Sequence, residues 1–461
     1  MRMSDAVVRE PARETPVVGE FDVVVVGGGP AGLMAAAAAA RNGASVALLE
    51  KNGYLGGAGT AGGLSTFCGL HAYVEDHHVQ AVRGLAQELV DRIDQLDGLR
   101  APHYSLRGMV LAQAYDIPAY RRAADELLLG AGVHLVFHAR VSAAHLLDGS
   151  VDAVMLETKE GRLAVRGRVF VDASGDGDLM YWAGVRHEHP GTTGMLFPSM
   201  MFRINGVDVE EAGEAWRTLP ALMKEEAARG RRFPRLGAII RPQRHPMEWR
   251  ANTTQLRRPD GSALDGTRVA DLTAGEIDGR AQTFEVFSFI KESHPGFQDS
   301  YVVDIGPEVG IRETRRMIGR YVLTEEDILG RATFPDAVGV NGWPVEEHVE
   351  GNVAIRFPDH PSTRANELPA RMLVQDQVPN LLVAGRCASM SHGGQSAARV
   401  SGPAFAMGQA AGTIAALAVH QQVACADVDA ADVQTRLRDD GALLTLEDVA
   451  RSEAVTHVLD G

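Results

Sequence analysis

The chain has little cysteine and no excess of basic residues, and both shortages exclude classes of protein. Its three cysteines, Cys68, Cys387 and Cys425, are far apart and form no CxxC pair, so neither a disulfide framework nor a thiolate zinc site is indicated. Acidic residues outnumber basic ones by 60 to 45, and the net charge of -15 disfavours nucleic acid and acidic lipid as partners. We therefore expect a small-molecule substrate and a reducing, cytoplasmic environment.

Long hydrophobic runs are also scarce. Residues 1–20 are charged and interrupted by proline, without the apolar core of a signal peptide, and no later run reaches the length of a membrane span. We predict that residues 1–20 form a disordered tail and that the protein does not bind a membrane. The chain of 461 residues, 45% of them hydrophobic, is long enough for two domains. Its oligomeric state stays open, with a homodimer as one option.

Small residues, by contrast, are concentrated near the beginning of the chain, in the stretch VVVVGGGPAGLMAAAAAA at 23–40. The apolar run FDVVVV that leads into it predicts a buried strand. Residues 30–42 then predict a helix of small side chains, and SVALLE at 45–50 predicts a second buried strand. These three segments together form a β-α-β unit.

The glycines of this unit lie where a dinucleotide-binding turn needs them. Gly27, Gly29 and Gly32 occupy the G-x-G-x-x-G positions, which serve a tight turn, a bare backbone beside the pyrophosphate and a close helix–strand contact. Glu50 ends the second strand at the spacing where a carboxylate binds a ribose hydroxyl. The helix N-terminus would face the phosphates with free N–H groups. We therefore predict a dinucleotide site, which this pattern alone does not resolve into NAD or FAD.

The rest of the chain divides into segments that differ in residue composition and hydrophobic pattern. Helical patterns cover 79–96 and 117–129, and strand-like runs that suggest a small β-meander follow the second of them. Between 187 and 374, tryptophan and arginine become common and proline or glycine breaks recur, which suggests an inserted domain. From Asn380 the composition of the dinucleotide-binding segment returns, with the strand NLLVAG and a small-residue helix over 404–418.

Further motifs favour the longer of the two cofactors. A second glycine-rich loop, KNGYLGGAGTAGG at 51–63, follows Glu50 where an NAD domain would proceed to its next helix. Downstream come FVDASGDGDL at 170–179, GIRETRRMIGRYVLTEED at 310–327 and NLLVAGRCASMSH at 380–392. With these motifs the chain resembles, over roughly residues 22–418, the FAD-dependent oxidoreductases of the glutathione-reductase-like fold, and among them a broad family of uncharacterised bacterial flavoproteins.

The resemblance implies an α/β protein in which a Rossmann-like, glutathione-reductase-like FAD-binding domain carries an inserted α+β substrate domain. The implied limits are 21–186 and 375–420 for the FAD-binding domain, 187–374 for the substrate domain and 421–461 for a C-terminal helical extension. At the pyrophosphate the resemblance places Gly27, Gly29, Pro30, Ala31 and Gly32, and at the adenosine ribose it places Glu50 with Lys51 beside it. The adenine is assigned to Val141, and the adenosine side to Ser174, Gly175 and Asp176. The ribityl chain and flavin are assigned to Gly57, Ala58, Gly59 and Thr60, the ribityl chain or pyrophosphate to Gly385 and Arg386, and the flavin to Gly402, Pro403 and Ala404.

Two residues before the last of these segments have the best claim to chemistry. We predict His392 as a general base, because its ordinary pKa of roughly 6.5 suits proton abstraction at neutral pH. Arg399 would orient a polar or anionic group of the substrate. The function implied is transfer of hydride from a small polar organic substrate to flavin N5, by a dehydrogenase or oxidase. An FAD-dependent monooxygenase using NAD(P)H and oxygen is the alternative, and a non-catalytic dinucleotide-binding protein is the third.

Other candidates receive a structural interpretation. His71, Glu75 and His78 share the spacing of one helical face, but a solvated polar turn explains them better than a metal site, so no metal is expected. Covalent flavin attachment through Cys68 or His71 is conceivable, while a packed thiol is favoured.

Three arginines of the GIRETRR motif, Arg312, Arg315 and Arg316, could bind a substrate carboxylate, but such runs more often form ion-pair networks. No CxxxxC pair lies near the glycine loops, which argues against a disulfide reductase. Gly385 and Arg386 stand where the aromatic-ring hydroxylases carry a Gly-Asp pair, which weakens a hydroxylase assignment. The middle segment has no second G-x-G-x-x-G, so we expect no dedicated NAD(P)H domain.

Overall fold

A computed structural model of the protein describes residues 7–106, 108–191 and 194–460. Along these residues the strands are β1 Val17–Val26, β2 Val46–Leu49, β3 Thr66–Cys68, β4 His71–Val74, β5 His77–Gln80, β6 His103–Ser105, β7 Val110–Ala114, β8 His134–Val136, β9 Arg140–Leu147, β10 Ser150–Thr158, β11 Gly161–Asp172, β12 His187–Glu188, β13 Phe202–Asn205, β14 Ile239–Pro242, β15 Trp249–Asn252, β16 Tyr301–Ile305, β17 Arg316–Met317, β18 Ala337–Asn341, β19 Val345–Val349, β20 Asn352–Arg356, β21 Asn366–Pro369 and β22 Leu381–Val383. The helices are α1 Pro30–Arg41, α2 Leu85–Gln95, α3 Ile117–Gly130, α4 Asp178–Trp182, α5 Val209–Ala212, α6 Ala215–Ala228, α7 Val269–Ser293, α8 Glu325–Leu329, α9 His392–Ala398, α10 Ser401–Gln421, α11 Ala430–Asp439 and α12 Leu446–Ala450. The fold is a mixed α/β fold.

The main sheet is built around β1. Strands β8, β2, β1 and β11 follow one another in parallel, and β22 joins the second half of β11, also in parallel. The antiparallel strands β10 and β9 extend the sheet from the first half of β11. Val23, Val24 and Val25 are fully buried, as expected for a parallel strand covered on both faces. The structure confirms the β-α-β unit and, with α3, the helix predicted over 117–129.

The first strand begins earlier than the sequence suggested. Val17 pairs with Ala164 and Glu20 with Arg166, so the predicted tail of residues 1–20 is wrong for its last four residues. The reason lies in β11, because the strand-like runs expected as separate pieces form one strand of twelve residues. Its first half offers β1 an additional parallel edge. Residues 1–6 of the predicted tail lie outside the described residues.

The small residues of α1 pack against a second small-residue helix, α10. A side chain added at Gly408 would lie 2.1 Å from the carbonyl oxygen of Ala31, and one added at Gly412 would lie 2.1 Å from that of Ala35. The two helix backbones therefore touch, which requires glycine on one helix and alanine on the other. The alanine run thus serves helix–helix packing, and only the glycines before it form the turn.

Helix α10 also corrects an expectation about hydrophobic length. Among the described residues, α10 is the one helix long and apolar enough to cross a membrane, and 94% of its most apolar window is buried inside the protein. The expectation that no later run reaches membrane-spanning length is therefore wrong, because Ser401–Gln421 forms one continuous apolar helix of 21 residues, many of them small. Its burial is that of a central core helix.

The inserted segment has a sheet and a core of its own. Its strands lie in the order β14-β15-β13-β16, all antiparallel. Trp249 and Ala251 on β15 face a core shared with α6 and α7, which includes Met223 and Phe289. Since side chains alternate along a strand, Arg250 lies on the opposite face of the sheet. That polar face is turned away from the insert's own core.

The insert is smaller than the predicted domain of 187–374. Its separate core is formed by residues between Phe202 and Phe297. Leu323, Leu368 and Val374 instead belong to the main core, because β18 and β21 pair with each other and β18 packs against α10. The change in sequence texture therefore did not mark the end of the insert. Beyond α10, the helices α11 and α12 cover part of the predicted extension of 421–461.

A hairpin replaces the first half of the helix predicted over 79–96. Strands β4 and β5 pair with each other, Glu75 lies at the hairpin tip with a φ of 49°, and α2 begins only after Gly84. His71 and His78 therefore lie on paired strands rather than on one helical face. Within the described ranges, no group of three or more His, Cys, Asp or Glu side chains is arranged to hold a metal ion.

Candidate functional site

The glycine-rich turn before α1 has a separate requirement at each glycine. Gly27 has a φ of +99°, and a side chain there would lie 2.6 Å from the carbonyl oxygen of Ala173. A side chain at Gly32 would lie 1.8 Å from the carbonyl oxygen of Gly27. Gly29 differs, since an added Cβ would meet only the Cα of Gly57, at 3.8 Å. Gly27 and Gly32 are thus required by the turn, whereas Gly29 leaves open space above the backbone.

The beginning of α1 is suited to an anion. Gly29 is its N-cap residue and supplies no side-chain cap, and Pro30 follows at the first helical position. The first N–H groups of a helix have no partner within the helix, and the helix dipole favours negative charge there. A cradle of bare backbone at a positive helix end fits the pyrophosphate of a dinucleotide.

Glu50 lies at the carboxyl end of β2 with its side chain turned toward this turn. The carboxylate accepts hydrogen bonds from the backbone N–H of Gly28, at 2.7 Å, and of Asn52, at 2.8 Å. Glu50 is buried, and burial raises the pKa of its carboxyl group. The two backbone donors hold the side chain in one place, which suits a carboxylate that must meet a ribose hydroxyl.

Lys51 and Val141 lie on either side of Glu50. The ammonium group of Lys51 is half-exposed and lies 2.9 Å from Glu308 Oε1. Val141 is buried on β9, two residues after Ala139, whose N–H donates to the carbonyl oxygen of Glu50 at 3.0 Å. The structure thus brings the Val141 backbone close to Glu50, while Lys51 is held by an acid from the insert.

The second glycine loop closes onto the first. Gly57 has a φ of +50°, and a side chain there would lie 2.8 Å from the Cα of Gly29. Ala58 next to it is exposed, which suits a residue lining an open cleft. Thr60 is buried, and its hydroxyl donates to the carbonyl oxygen of Leu55, so it fixes the loop from within. The two glycine loops therefore form adjoining walls of one cleft.

A third group of predicted residues meets the beginning of α1 from the other side. Gly385 has a φ of +82°, and a side chain there would lie 2.9 Å from Ala31 Cβ. The Arg386 guanidinium donates to Asp176 Oδ1 at 2.9 Å, and Thr314 Oγ1 donates to the same oxygen at 2.8 Å. Ser174 and Gly175 precede that carboxylate in the turn after β11. Residues from three distant segments thus converge on one helix N-terminus.

Sequence reasoning missed the buried carboxylate that shapes this turn. Asp172 is fully buried at the end of β11 and accepts hydrogen bonds from the N–H groups of Ser174, at 3.0 Å, and Met180, at 2.8 Å. Burial raises its pKa to about 6. Asp172 is the first acid of DASGDGD, but the cofactor assignment named only the later residues Ser174, Gly175 and Asp176 of that motif.

The N-terminus of α10 is fixed to β3. Ser401 Oγ donates to the carbonyl oxygen of Cys68 at 3.1 Å and accepts from its N–H at 3.0 Å. A side chain at Gly402 would lie 1.9 Å from the carbonyl oxygen of Gly69. Pro403 and Ala404 follow, both buried. Because β3 comes directly after the second glycine loop, this contact places the start of α10 beside that loop.

Cys68 and His71 lie close to this contact without reactive character. Burial raises the pKa of the Cys68 thiol to about 12, so the nucleophilic thiolate is not formed at neutral pH. Burial also lowers the pKa of His71 to about 4. These environments favour the packed thiol over an attachment point for flavin.

His392 begins α9 and lies between two carboxylates. Its Nδ1 is 3.0 Å from Glu313 Oε1, and its Nε2 is 3.3 Å from Glu347 Oε1. The hydrogen bond to Glu313 raises the pKa of His392 above its usual value. Two carboxylates beside the ring favour the protonated imidazole, which has no lone pair free to take a proton. The general-base role predicted for His392 is therefore not supported by its surroundings.

Arg399 lies at the opposite end of α9. Seven residues separate it from His392, or about 10 Å along a helix, so the structure does not bring the two predicted catalytic residues together. The Arg399 guanidinium donates to the carbonyl oxygen of Glu346 at 3.4 Å, and its Nε is buried without a hydrogen-bond partner among the described residues. Burial lowers its pKa.

The GIRETRR arginines divide into two kinds. Arg316 pairs with the buried Glu313 and with Glu188, and Arg315 lies 2.9 Å from Asp178 Oδ1, so both belong to ion pairs. Arg312 is buried and donates instead to the carbonyl oxygen of Phe197, at 2.7 Å, and to Ser199 Oγ, at 2.8 Å. The ion-pair interpretation therefore holds for Arg315 and Arg316 and fails for Arg312.

Two buried arginines that sequence reasoning missed lie near Arg312. The Arg235 guanidinium donates to the carbonyl oxygen of Asn252, and its Nη1 is 3.3 Å from His348 Nδ1. Arg250 is on β15, two residues before Asn252 and on the same face, and Asn252 accepts hydrogen bonds from both Arg235 and Arg312. We refer to Arg235, Arg250, Arg312 and Arg399 together as the arginine cluster. The sequence indicates Arg250 only through the alternation of side chains along β15. Alternation does not tell which face of a strand packs against the core.

A surface cavity elsewhere on α10 is not part of this site. It is lined by residues that include Ile414, Cys425 and Val428. Ile414 lies twelve residues after Gly402, or about 18 Å along the helix. This cavity therefore opens at the far half of α10 from the glycine loops and the arginine cluster.

The fold and the site define a dinucleotide-binding enzyme, and comparison with known proteins gives the class. The family model for FAD dependent oxidoreductases matches residues 22–437, so the chain belongs to the FAD-dependent oxidoreductase family and uses FAD. This confirms the expected cofactor and the expectation that the protein is an enzyme. The three glycine-lined walls around the start of α1 fit that cofactor. A search of curated proteins returned no match.

Solved structures resemble the chain at low sequence identity. A geranylgeranyl bacteriochlorophyll reductase-like protein from Thermoplasma acidophilum is 13% identical, with a TM-score of 0.48, over 94% of this chain and 90% of that one. p-Nitrophenol 4-monooxygenase PnpA from Pseudomonas putida is 12% identical, with a TM-score of 0.46, over 94% and 90%. The aromatic hydroxylase CabE of angucycline biosynthesis is 14% identical, with a TM-score of 0.44, over 93% and 68%.

Proposed function

We propose that this FAD-dependent oxidoreductase takes hydride from a small polar organic substrate, as a dehydrogenase or an oxidase. In this proposal FAD is held by a Rossmann-like domain of the glutathione-reductase-like type, through the residues assigned above. When bound, FAD supplies the chemistry by accepting hydride at its N5 position. Everything else is the work of this chain's own side chains.

One observation carries the proposal, namely that buried polar groups of the insert meet those of the FAD-binding part at β19. Arg250 comes from the insert's sheet, and Arg399 comes from the end of α9, next to the start of α10. Arg235 of the insert lies 3.3 Å from His348 Nδ1 on β19, and Arg399 donates to the carbonyl oxygen of Glu346 on the same strand at 3.4 Å. A substrate held there would lie between two bodies that exclude water, at the end of α10 that adjoins the second glycine loop.

In this arrangement the side chains have separate tasks. Arg399 orients an anionic or polar group of the substrate, because its buried Nε has a proton to donate. His392 positions Glu313 through the hydrogen bond at its Nδ1 and Glu347 through the ion-pair contact at its Nε2, rather than taking the substrate proton. The polar face of the insert's sheet, with Arg250 in its middle, covers the substrate.

Anaerobic stopped-flow reduction tests the proposal. Amino acids, hydroxy acids and sugars are mixed in turn with the purified flavoprotein, and loss of the oxidised flavin absorbance is followed. We expect one class of substrate to reduce the flavin without any nicotinamide. NADPH alone should reduce it slowly, because the described part of the insert forms an antiparallel sheet and no β-α-β unit that would position a second dinucleotide. Rapid, saturable reduction by NADPH alone would instead establish the monooxygenase alternative.

The same proposal includes the setting of the enzyme. All three cysteines are free, and Cys387 and Cys425 are buried, which suits a reducing compartment such as the cytoplasm. The partner it requires is a small molecule. A fractionation assay that found the native protein in a membrane or extracellular fraction would contradict this part.

A further inference from the structure

The arginine cluster has an excess of buried positive charge. Arg235, Arg250 and Arg312 are each at least 94% buried, and Arg399 joins them from α9. Among the described residues, none of the four has a carboxylate oxygen within 4.0 Å, although other arginines of the protein form many such pairs. Buried charges are normally paired, because leaving one unpaired in a protein interior is costly. The cluster therefore lacks its counter-charge.

The nearest buried acid does not supply it. Glu346 Oε2 accepts a hydrogen bond from the indole N–H of Trp343 at 2.9 Å, and its Oε1 faces His348 Nε2 at 3.6 Å. Burial and the neighbouring Arg312 lower the pKa of His348 well below its usual value, so His348 adds no charge at neutral pH. One carboxylate thus stands against four guanidinium groups. A surplus of three positive charges remains in the buried region.

Arg250 is the least satisfied member of the cluster. It is 5% exposed, and its guanidinium donates no hydrogen bond to any residue that the structure describes. The arginine directly opposite, Arg203 on β13, has two acids, Glu248 Oε1 at 2.8 Å and Asp304 Oδ2 at 3.1 Å. The same sheet face therefore carries one arginine with two carboxylate partners and one with none among the described residues.

We propose that the arginine cluster binds a small organic dicarboxylate, and that this dicarboxylate is the substrate of the enzyme. The inference rests on the proposed function, because it names the class of substrate for that same site. The planar guanidinium matches a carboxylate with two parallel hydrogen bonds, and two carboxylates would offset most of the surplus charge. Arg250 and Arg235 reach the substrate from the insert, and Arg312 and Arg399 reach it from the FAD-binding part.

The phosphates of FAD do not account for this charge. The cleft that fits the pyrophosphate is formed by the backbone at the start of α1, where Gly29 leaves open space. The arginine cluster instead lies along β19 and β15, where Arg399 donates to the carbonyl oxygen of Glu346, Arg235 lies 3.3 Å from His348 Nδ1 and Arg312 donates to Asn252 Oδ1. A phosphate ester as substrate has the same chemistry of recognition by arginine, and the experiment below separates it from a dicarboxylate.

The test is a titration of the oxidised holoprotein with sodium malonate, succinate and glutarate, followed by flavin absorbance and thermal unfolding. We expect at least one of them to perturb the flavin spectrum and raise the Tm, while the neutral analogue succinamide does neither. Inorganic phosphate serves as a second arm. Binding of phosphate in preference to all three dicarboxylates would overturn the proposal in favour of a phosphate ester.

Variants of Arg250 and Arg203 sharpen the test. Arg250→Met should weaken dicarboxylate binding about 10- to 100-fold while the ligand-free protein unfolds at the same or a higher temperature, because an unpaired buried charge has been removed. Arg203→Met is the matched control and should leave dicarboxylate affinity unchanged. If Arg250→Met fails to fold, Arg399→Gln provides the same measurement from the other side of the site, with FAD content as its readout of integrity.

The two proposals fail in distinguishable ways. Equal effects of succinate and succinamide, or retained dicarboxylate affinity in Arg250→Met and Arg399→Gln, would overturn the dicarboxylate site while leaving hydride removal from a neutral substrate intact. Dicarboxylate binding without anaerobic flavin reduction by any organic compound, together with fast reduction by NADPH, would uphold the anion site and contradict the proposed dehydrogenase or oxidase.

Discussion

The two ends of the site recognise negative charge by different means. At the start of α1 the recognising groups are backbone N–H groups exposed by Gly29, with Gly27 and Gly32 shaping the turn around them. At the arginine cluster they are charged side chains from remote parts of the chain, such as Arg250 and Arg399. The first kind of site is written in a few consecutive residues, and the second exists only after folding. The comparison teaches which part of a function can be found in a sequence motif.

The largest effect should follow from filling the turn. Gly32→Ala would place a methyl group 1.8 Å from the carbonyl oxygen of Gly27, so the helix and strand must separate. We expect the free energy of unfolding to fall by about 3 kcal/mol or more. Chemical denaturation measures this change.

Gly29→Ala is the matched control for Gly32→Ala. Its added Cβ would meet only Gly57 Cα at 3.8 Å, so the apoprotein should remain folded and lose FAD affinity instead. Equal destabilisation by both substitutions would show that the two glycines serve the same packing role, and the distinction between turn and phosphate contact would then be abandoned.

The next effect concerns the ribose carboxylate. Glu50→Ala removes charge-assisted hydrogen bonds and should weaken FAD binding by about 1.5–3 kcal/mol. The loss is measured as an increase in Kd during reconstitution of the apoprotein with FAD. Glu50→Gln keeps the shape but can accept fewer N–H bonds through one oxygen, so it should lie between Ala and the wild type. Unchanged FAD affinity in both variants would remove Glu50 from the cofactor site.

The parts of the fold that were predictable are those dictated by neighbours in sequence. The helix expected over 117–129 is α3, with the side chain of Asp116 accepting a hydrogen bond from the Ala119 N–H and Pro118 in the first turn, both local signals of a helix start. Gly27 and Gly32 were found because a tight turn and a close helix–strand contact each exclude a side chain within a six-residue motif. The dinucleotide site follows from these local requirements, and the later motifs of the chain indicate FAD.

The remainder depends on contacts between distant segments. The partners of His392 are Glu313 and Glu347, which reach it from two other segments and favour its protonated form over the expected general base. Arg250 is unremarkable in the sequence, because nothing local tells whether WRAN presents its arginine to solvent, to an acid or to a substrate. The limit of the insert was misplaced for the same reason, since residues 323–374 join the main core through contacts with distant elements, α10 among them.

A smaller effect, on the rate of flavin reduction, is expected from His392→Asn. It tests whether a residue with an assigned catalytic role acts instead through its contacts with distant segments. A general base contributes about 10² to 10⁴ in rate, whereas a positioning cation should change flavin reduction by less than about tenfold in His392→Asn. Because the folded-state pKa is raised above 6.5, the stabilisation by His392 is complete below that value and is lost as the pH rises through the folded-state pKa. Thermal unfolding of the wild type across the neutral range should show this loss, and His392→Asn should not. A reductive rate that falls by a factor of a thousand at unchanged FAD content would restore the base.

The smallest effect is expected at Lys51, a predicted cofactor contact that the structure ties to an exposed acid. Its ammonium group pairs with Glu308 at 2.9 Å, with side chains 50% and 36% exposed, and such surface pairs contribute about 0.2–1 kcal/mol or less. Lys51→Ala should therefore leave FAD affinity nearly unchanged, and Glu308→Gln should match it. Raising the ionic strength should remove what difference there is, because salt screens exposed charges. The contrary result is that Lys51→Ala weakens FAD binding as much as Glu50→Ala while Glu308→Gln does not. In that case the ammonium group would be a direct ligand of the cofactor, and a charged side chain would bind FAD together with the backbone of the glycine turn.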